Sequence, residues 1–85
     1  MQLSDIKNEN KVIGLKQVKK AINKDLAKKV FIAGDAEPHI KMPLIKMCEQ
    51  KGIEYRMIEN MKVLGVACGI DVGAATVAII EETKS

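Results

Sequence analysis

The segment that decides the fold is residues 14–34, which read GLKQVKKAINKDLAKKVFIAG. In its first half, apolar residues recur every three or four positions, which predicts an amphipathic helix that begins at Leu15. The apolar positions are Leu15, Val18, Ala21, Ile22 and Leu26. Residues 28–33 end in an unbroken apolar run, which predicts a buried strand that stops at Gly34. A helix followed directly by a buried strand is typical of an α/β domain.

A second helix is predicted between a proline and a glycine. Pro43 would break a helix from inside, but it fits well as a first helical residue. We therefore predict that this helix begins at Pro43 and ends at Gly52. The side chains expected to face inward are Leu44, Met47 and Cys48. The preceding residues 35–38, DAEP, are typical of a turn.

The remaining elements continue an alternation of strands and helices. They are a short helix over residues 3–10, strands over 11–13, 53–58 and 74–80, and a helix over 61–67 that Asn60 caps. Such an alternation places helices on both faces of a central sheet. We therefore predict one domain over residues 1–85, a three-layer α/β/α sandwich around a four-stranded mixed sheet.

Composition narrows the class of protein. The 85 residues are 47% hydrophobic and 29% charged, which favours a small globular domain over a disordered tail. No apolar run approaches the roughly 20 residues needed to cross a bilayer. The first residues lack the pattern of a signal peptide. Two cysteines twenty positions apart form neither a disulfide framework nor a metal knuckle. We therefore expect a cytoplasmic protein with reduced thiols.

Positive charge is concentrated in the first part of the chain. Residues 1–34 carry a net charge of +5, whereas residues 35–85 carry −2. This one-sided charge favours an anionic partner, with nucleic acid the first candidate, although lysines that only solvate the surface would give the same pattern. Phe31 and Tyr55 are the only aromatic residues, too few for the base-stacking surface of single-strand binders.

The turn from Gly14 into the lysine-rich helix is the strongest candidate binding site. A helix N-terminus offers unpaired N–H groups and a partial positive charge, which suit phosphate. Lys16 and Lys20 lie one turn apart, beside Gln17, and lysine and glutamine side chains can hydrogen-bond base edges. The alternative interpretation is an exposed, solvated helix face. A lysine in the first turn opposes the helix dipole, which slightly favours a binding role.

Catalytic and metal sites are not indicated. The candidate nucleophiles are Cys48 and Cys68, and the only histidine is His39. A cysteine on the apolar side of a helix usually packs as a small hydrophobe, and no third group is evident to orient a Cys/His pair. The glycines at 65, 69 and 73 match neither a dinucleotide fingerprint nor a phosphate loop. We therefore expect no enzyme activity, catalytic residue, metal site or cofactor.

Three motifs together resemble a known family. They are GLKQVKK at residues 14–20, DAEP at 35–38 and MKVLGVACGI at 61–70, followed by VGAATVAII at 72–80. In this order they resemble the kink-turn-binding ribosomal proteins of the L7Ae and L30e type, most closely the short bacterial YbxF-like branch. The resemblance runs from about Val12 to Ile80. It implies an α/β/α sandwich that binds a kink-turn, an RNA duplex sharply bent at an internal loop with tandem sheared G·A pairs.

The resemblance also implies a set of RNA-binding residues. Gly14 would let the backbone approach the RNA. The residues implied to contact the G·A guanines and nearby phosphates are Lys16, Gln17 and Lys20. An apolar loop that covers an unstacked nucleotide is implied for Leu64, Gly65, Val66, Ala67 and Cys68. Glu37 would help to line the pocket of that nucleotide.

Two departures from the family pattern bear on binding. The archaeal signature has Asn-Glu where this chain has Lys16-Gln17, a pair that resembles the L30e relatives and implies a different base context. Many relatives carry a basic residue at the position of Val66. Its replacement by valine predicts weaker and less salt-sensitive binding.

These observations predict a monomeric, non-enzymatic, ribosomal-protein-like RNA-binding protein that recognises and stabilises kink-turns. The expected partner is ribosomal RNA, a riboswitch or a similar structured RNA, with no DNA or membrane partner. The alternative is a protein-interaction module on the same scaffold that docks a partner through the apolar loop around Val66. A small-molecule enzyme that depends on Cys68 or His39 is a third hypothesis.

Overall fold

A four-stranded mixed sheet between two layers of helices organises the chain. The computed structural model describes Ile6 and residues 10–80. Its elements are β1 (Lys11–Ile13), α1 (Leu15–Asn23), β2 (Ala27–Ala33), α2 (Pro38–Lys51), β3 (Glu54–Ile58), α3 (Met61–Ala67) and β4 (Thr76–Ile80). The predicted α/β/α sandwich is confirmed. Apart from Ile6 and Asn10, the helix predicted over residues 3–10 lies outside the described residues.

The strand order brings three strand ends to one place. The sheet runs β1-β4-β2-β3, with β4 antiparallel to β1 and β2, and with β2 parallel to β3. Consequently β1, β2 and β3 end where β4 begins. The residues at this end of the sheet are Ile13, Ala33, Ile58 and Thr76. We call it the helix-start end, because each helix begins shortly after a strand that ends there.

Each face of the sheet buries its own apolar cluster. The cluster beneath α1 and α2 contains Val18, Ala21, Ile22, Val30, Ile32, Leu44, Cys48 and Ala78. The cluster beneath α3 contains Ile6, Phe31, Ala33, Ala36, Ile58, Leu64, Cys68, Ala74, Val77 and Ile79. Successive residues of β2 alternate between the two clusters, because side chains of a strand point to opposite faces. No described helix is long and apolar enough to span a membrane.

Helix α1 ends at Asn23, before the last apolar residue of its pattern. The end is a Schellman motif, in which Leu26 N donates to the Ala21 carbonyl at 2.9 Å and Asp25 N donates to the Ile22 carbonyl at 3.1 Å. Asp25 takes the left-handed position of this motif, with φ 60°. Leu26 therefore belongs to the turn that leads into β2.

The predicted start of α2 at Pro43 is wrong. The helix begins at Pro38, and Pro43 lies inside it. Pro38 occupies the favourable first position that we assigned to Pro43. Proline lacks an N–H, so position 43 cannot donate a bond to the preceding turn, but Leu44 and Cys48 on the following turns are fully buried and stabilise the helix. The predicted end is confirmed, because Gly52 is the C-cap with φ 68°.

The predicted helix over residues 61–67 is confirmed, with its cap. The Asn60 side chain accepts a hydrogen bond from Val63 N at 2.8 Å. The following strand begins at Thr76 instead of residue 74. Ala74 N donates to the Met61 carbonyl at 3.0 Å, so the chain before β4 is bonded to α3.

Replacing the cap should weaken α3. Asn60→Ala leaves the Val63 N–H without its acceptor and should lower the free energy of unfolding by about 1 kcal/mol. Urea denaturation followed by circular dichroism measures the change. Asn60→Ser supplies another capping oxygen and should retain most of the stability. Equal midpoints for the alanine variant and the wild type would contradict the role of this cap.

Candidate nucleic-acid interface

Gly14 shapes the junction between β1 and α1. Its backbone has φ 103° and ψ 152°, a region that is essentially restricted to glycine. Gly14 N donates to the Thr76 carbonyl at 3.0 Å, and the Gly14 carbonyl accepts from Val18 N at 2.9 Å. A Cβ at position 14 would meet no atom within 4 Å. The backbone at this junction is therefore open to close approach from outside the protein.

The first turn of α1 combines uncapped N–H groups with positive charge. No side chain caps this helix, and its first turn contains no acidic residue. Lys16 and Gln17 are exposed in the first turn, and Lys20 is exposed one turn later. Unpaired N–H groups and ammonium groups both favour a bound anion, so this surface suits phosphate.

Glu37 lies at the start of α2, at the same end of the sheet. As the N-cap residue, it accepts hydrogen bonds at its carbonyl from Ile40 N at 2.8 Å and Lys41 N at 3.1 Å. Its exposed carboxylate lies 3.6 Å from His39 Nδ1, which is also exposed. The structure therefore places the Glu37 side chain on the surface, where it can face a ligand.

The family resemblance implies that residues 64–68 form an apolar loop. This expectation is wrong, because the segment is helical. Its first four residues belong to α3, and Cys68 is the C-cap. Leu64 and Cys68 are buried in the cluster beneath α3, so their side chains support the surface from within. Val66 is 67% exposed and Ala67 is half-buried. Val66 is therefore the member of this group that can contact a ligand extensively.

Gly65 lets the loop after α3 pack directly on the helix. A Cβ at position 65 would collide with the Val72 carbonyl oxygen. Within the same turn, Ile70 N donates to the Gly65 carbonyl at 3.1 Å, and Gly69 has φ 80° in a Schellman motif. Gly65 thus has a packing role in this structure. The loop also carries a second exposed valine, Val72, at 70%.

A carboxylate joins the start of α3 to the turn before α2. Asp35 Oδ1 accepts a hydrogen bond from Met61 N at 2.8 Å. In the same turn, the Gly34 carbonyl accepts from Lys41 Nζ at 2.8 Å. The turn that carries Glu37 is therefore bonded to both α2 and α3. Sequence reasoning missed Asp35, because its partner lies 26 positions away, although aspartate is a common capping residue.

Thr76 couples α1 to the centre of the sheet. It is fully buried, and its hydroxyl donates to the Phe31 carbonyl at 2.8 Å. Its own carbonyl accepts the Gly14 N–H. Sequence reasoning also missed this residue, and the available signal was a single hydroxyl within an apolar strand.

The structure brings part of the predicted site together. Gly14, Lys16, Gln17 and Glu37 lie at the helix-start end, on the first turns of α1 and α2. Lys20 lies about 6 Å farther along α1 than Lys16. The other predicted residues belong to α3 and its C-cap, from which residues 69–75 lead back to the start of β4.

The thiols do not resemble catalytic nucleophiles. Cys48 and Cys68 are both buried and free. Burial raises the pKa of the Cys48 thiol, and Glu49 raises it further. Burial also raises the pKa of the Cys68 thiol, against an opposing effect of Lys11. A raised pKa keeps a thiol protonated and unreactive near neutral pH. Among the described residues, no group of three or more His, Cys, Asp or Glu side chains is placed to hold a metal ion.

Comparison with known proteins identifies the family. Residues 3–85 match the family model described as "Ribosomal protein L7Ae/L30e/S12e/Gadd45 family". The chain belongs to this family. The resemblance drawn from the three motifs is therefore confirmed, and this L7Ae-family chain matches the family model over nearly its whole length.

Individual relatives agree with this assignment. A Bacillus pumilus protein named "RNA-binding protein" is 44% identical over 69 residues, which cover 81% of this chain and 84% of the relative. An RNA-binding protein of Caldanaerobacter subterraneus subsp. tengcongensis is 48% identical over 68 residues, covering 80% and 83%. The solved "Giardia lamblia 15.5kD RNA binding protein" has a TM-score of 0.87 and 30% identity, and the match covers 94% of this chain and 71% of that one.

The packing role of Gly65 predicts the sign of the change in the free energy of unfolding that Gly65→Ala causes. Alanine is favoured over glycine in a helix by about 1 kcal/mol, so propensity alone would make Gly65→Ala stabilising. The contact with the Val72 backbone should reverse the sign, with a loss of about 1–3 kcal/mol in the free energy of unfolding. Urea denaturation measures the net change in the free energy of unfolding. Val66→Ala, at the next and exposed position, should change stability by less than about 1 kcal/mol. A Gly65→Ala variant more stable than the wild type would refute the contact.

Proposed function

We propose that this protein is a non-enzymatic, cytoplasmic RNA-binding protein that recognises kink-turns and stabilises their bent state. The observation that carries the proposal is the open, uncapped start of α1 at Gly14, flanked by Lys16 and Gln17. Family membership and the names of the relatives support RNA as the ligand. The partner would be a structured RNA, such as ribosomal RNA or a riboswitch.

The need for a bend follows from the shape of RNA. A straight A-form duplex has a deep, narrow major groove that side chains cannot read. An α-helix with its side chains is about 10–12 Å wide, so it requires a widened groove. A kink opens the groove at the sheared G·A pairs, and the start of α1 can then enter. Gly14 adds no side chain at the point of closest approach.

Each exposed residue of the first turn has a distinct role in this proposal. Lys16 donates to guanine acceptors, and Gln17 pairs with a base edge through its amide. Lys20, one turn farther from the open backbone, contacts a phosphate. The uncapped N–H groups of the first turn add a directional contribution, because they point toward a bound anion.

A second contact involves the unpaired nucleotide of the kink. We assign Val66 to the apolar surface that covers this nucleotide, with Glu37 at the edge of its pocket. Aromatic stacking has no part in this contact, since Phe31 is buried beneath α3 and Tyr55 packs against the cluster on the other face of the sheet. Contact with a base would therefore depend on apolar packing and on hydrogen bonds.

The protein would act by population shift. A kink-turn exchanges between extended and bent forms, and a ligand that binds the bent form better stabilises it by the difference in affinity. The hydrogen bonds at Gly14, Asp35 and Thr76 hold the site in one arrangement before RNA arrives. A preorganised surface loses little conformational entropy on binding, so more of the contact energy appears as affinity.

The first-turn side chains provide the direct test. Lys16→Ala combined with Gln17→Ala should abolish preference for a kink-turn RNA over a straight duplex of equal length, measured by fluorescence anisotropy at near-physiological salt. Both residues are exposed, so the variant should remain folded. The loss of kink-turn affinity should be about 100-fold or more, since two base contacts are removed and a good bidentate base contact contributes about 1–3 kcal/mol.

A matched control exists on α2. Lys46 and Gln50 are also exposed, so Lys46→Ala with Gln50→Ala removes the same side-chain types from another helix. This control should retain the preference for the kink-turn. Unchanged binding by a folded Lys16/Gln17 variant would reject the site, and equal wild-type binding to kinked and straight RNA would reject the proposed function.

Val66 provides a second test, based on charge. Val66→Lys restores the basic residue that many relatives carry and should add one phosphate contact. Kink-turn affinity should rise several-fold, and the slope of log affinity against log salt should steepen by about 0.7–0.9. Met42→Lys adds the same charge at a 63% exposed site on α2 and should leave the slope nearly unchanged. Equal slopes for the two variants would place Val66 outside the RNA contact.

A further inference from the structure

A row of lysines continues along α1 beyond the proposed site. Lys16, Lys20 and Lys24 are four residues apart and all exposed. Residues at this spacing are neighbours on one side of a helix. Lys24 lies about 12 Å along the helix axis from Lys16. The proposed function assigns the near end of this row and leaves its far end without a role.

A β-bulge extends the positive charge past the end of the helix. The pairing of β2 with β4 shifts register between Ala27, opposite Ile80, and Lys29, opposite Ile79. Lys28 is therefore the extra residue of a bulge, and it is exposed. Lys29 is used within the protein, because its largely buried side chain lies 3.1 Å from the Glu54 carboxylate. Of the two neighbouring lysines, Lys29 therefore pairs with Glu54, whereas Lys28 faces solvent.

The lysines at this far end are not neutralised by the residues that the structure describes. Asp25 is the acidic residue between Lys24 and Lys28, and its Oδ1 lies 2.9 Å from Lys51 Nζ on α2. The other ion pairs of the described residues involve Lys29 and His39. Within residues 10–80, Lys24 and Lys28 therefore have no ion-pair partner, and both lie at the same end of the molecule.

A shallow cleft borders the row. Its volume is about 150 Å³, and it is lined by Val12, Gln17, Lys20, Ala21, Lys24, Leu26 and Ile80. Lysine side chains commonly pack their aliphatic stems on apolar surface and keep the ammonium group in water, and this cleft offers Lys20 and Lys24 such a surface. A concave strip with cations along its rim is suited to a polyanionic backbone.

We propose that Lys24 and Lys28 bind phosphates of the RNA arm that leads away from the kink, so that affinity depends on the length of that arm. This inference rests on the proposed function, because the kink at Gly14 determines where the arm begins. Phosphate contacts carry no sequence information. Each one releases counterions and therefore steepens the dependence of affinity on salt.

The test combines RNA length with charge removal. Affinity is measured for a minimal kink-turn RNA and for two longer RNAs, each with one arm extended by about one helical turn. The outer variant is Lys24→Gln with Lys28→Gln. The control, Lys46→Gln with Arg56→Gln, removes the same charge from exposed positions on α2 and β3. Affinity for a straight duplex, compared with that for the minimal kink-turn RNA, measures the preference for the kink. Urea denaturation verifies that both variants are folded.

We expect wild-type protein to bind one of the longer RNAs about tenfold more tightly than the minimal RNA. The outer variant should lose this gain, and its salt slope on that RNA should fall by about 1.5. The control should keep the gain. The control should lose a smaller amount of RNA affinity, and this loss should be the same for every arm length because it reflects only the change in net charge.

Two results would overturn the inference while the proposed function stands. One is a wild-type affinity that is independent of arm length, together with preference for the kink. The other is an equal loss by the outer variant and the control on every RNA, which would mean that these lysines act only through net charge. Absence of any wild-type preference for the kink would overturn the proposed function and this inference together.

Discussion

The hydrogen bond from Gly14 N to the Thr76 carbonyl determines where α1 starts relative to the sheet. Thr76 is buried and also bonds through its hydroxyl to the Phe31 carbonyl, so one residue of β4 connects α1 to the central strand β2. The positive φ of Gly14 allows the chain to make this bond and to enter the helix immediately. The direction of the first-turn N–H groups is therefore set by the sheet.

The start of α3 depends on similar bonds between distant parts of the chain. Asp35 accepts the Met61 N–H, and Ala74 N donates to the Met61 carbonyl, so a single residue of α3 connects two loops. These loops have little freedom relative to each other. The surface that these segments form is thereby held in one arrangement, and a surface of this kind would suit a ligand that is distinguished by shape.

The sequence was sufficient to predict the layers and most elements, because they depend on local periodicity. The alternation of apolar residues in 14–34 and the Asn60 cap are local signals, and the structure confirms both. The predicted start of α2 was wrong because Pro38 and Pro43 both suit the first helical position. Packing of Ile40, on the turn before Pro43, against both apolar clusters distinguishes the two starts, and this packing is a tertiary effect.

The candidate site was only partly predictable, for the same physical reason. Positions 14, 16 and 17 form one contiguous helix start, so the sequence alone places them together. The sequence pattern predicts a helix over 61–67, whereas the family resemblance implies an apolar loop over 64–68. The structure has the helix, with Gly65 packed against the Val72 backbone. The bonds at Asp35 and Thr76 depend on strand pairing between distant segments. No local pattern reports such pairing.

The two buried cysteines lie on opposite faces of the sheet. Cys48 belongs to the cluster beneath α1 and α2, and Cys68 belongs to the cluster beneath α3. With their pKa values raised by burial, both thiols are shielded from alkylating reagents until the layer above them opens. The native chain thus carries a separate chemical reporter for each helical layer, and the order in which the thiols are labelled reveals which layer detaches first.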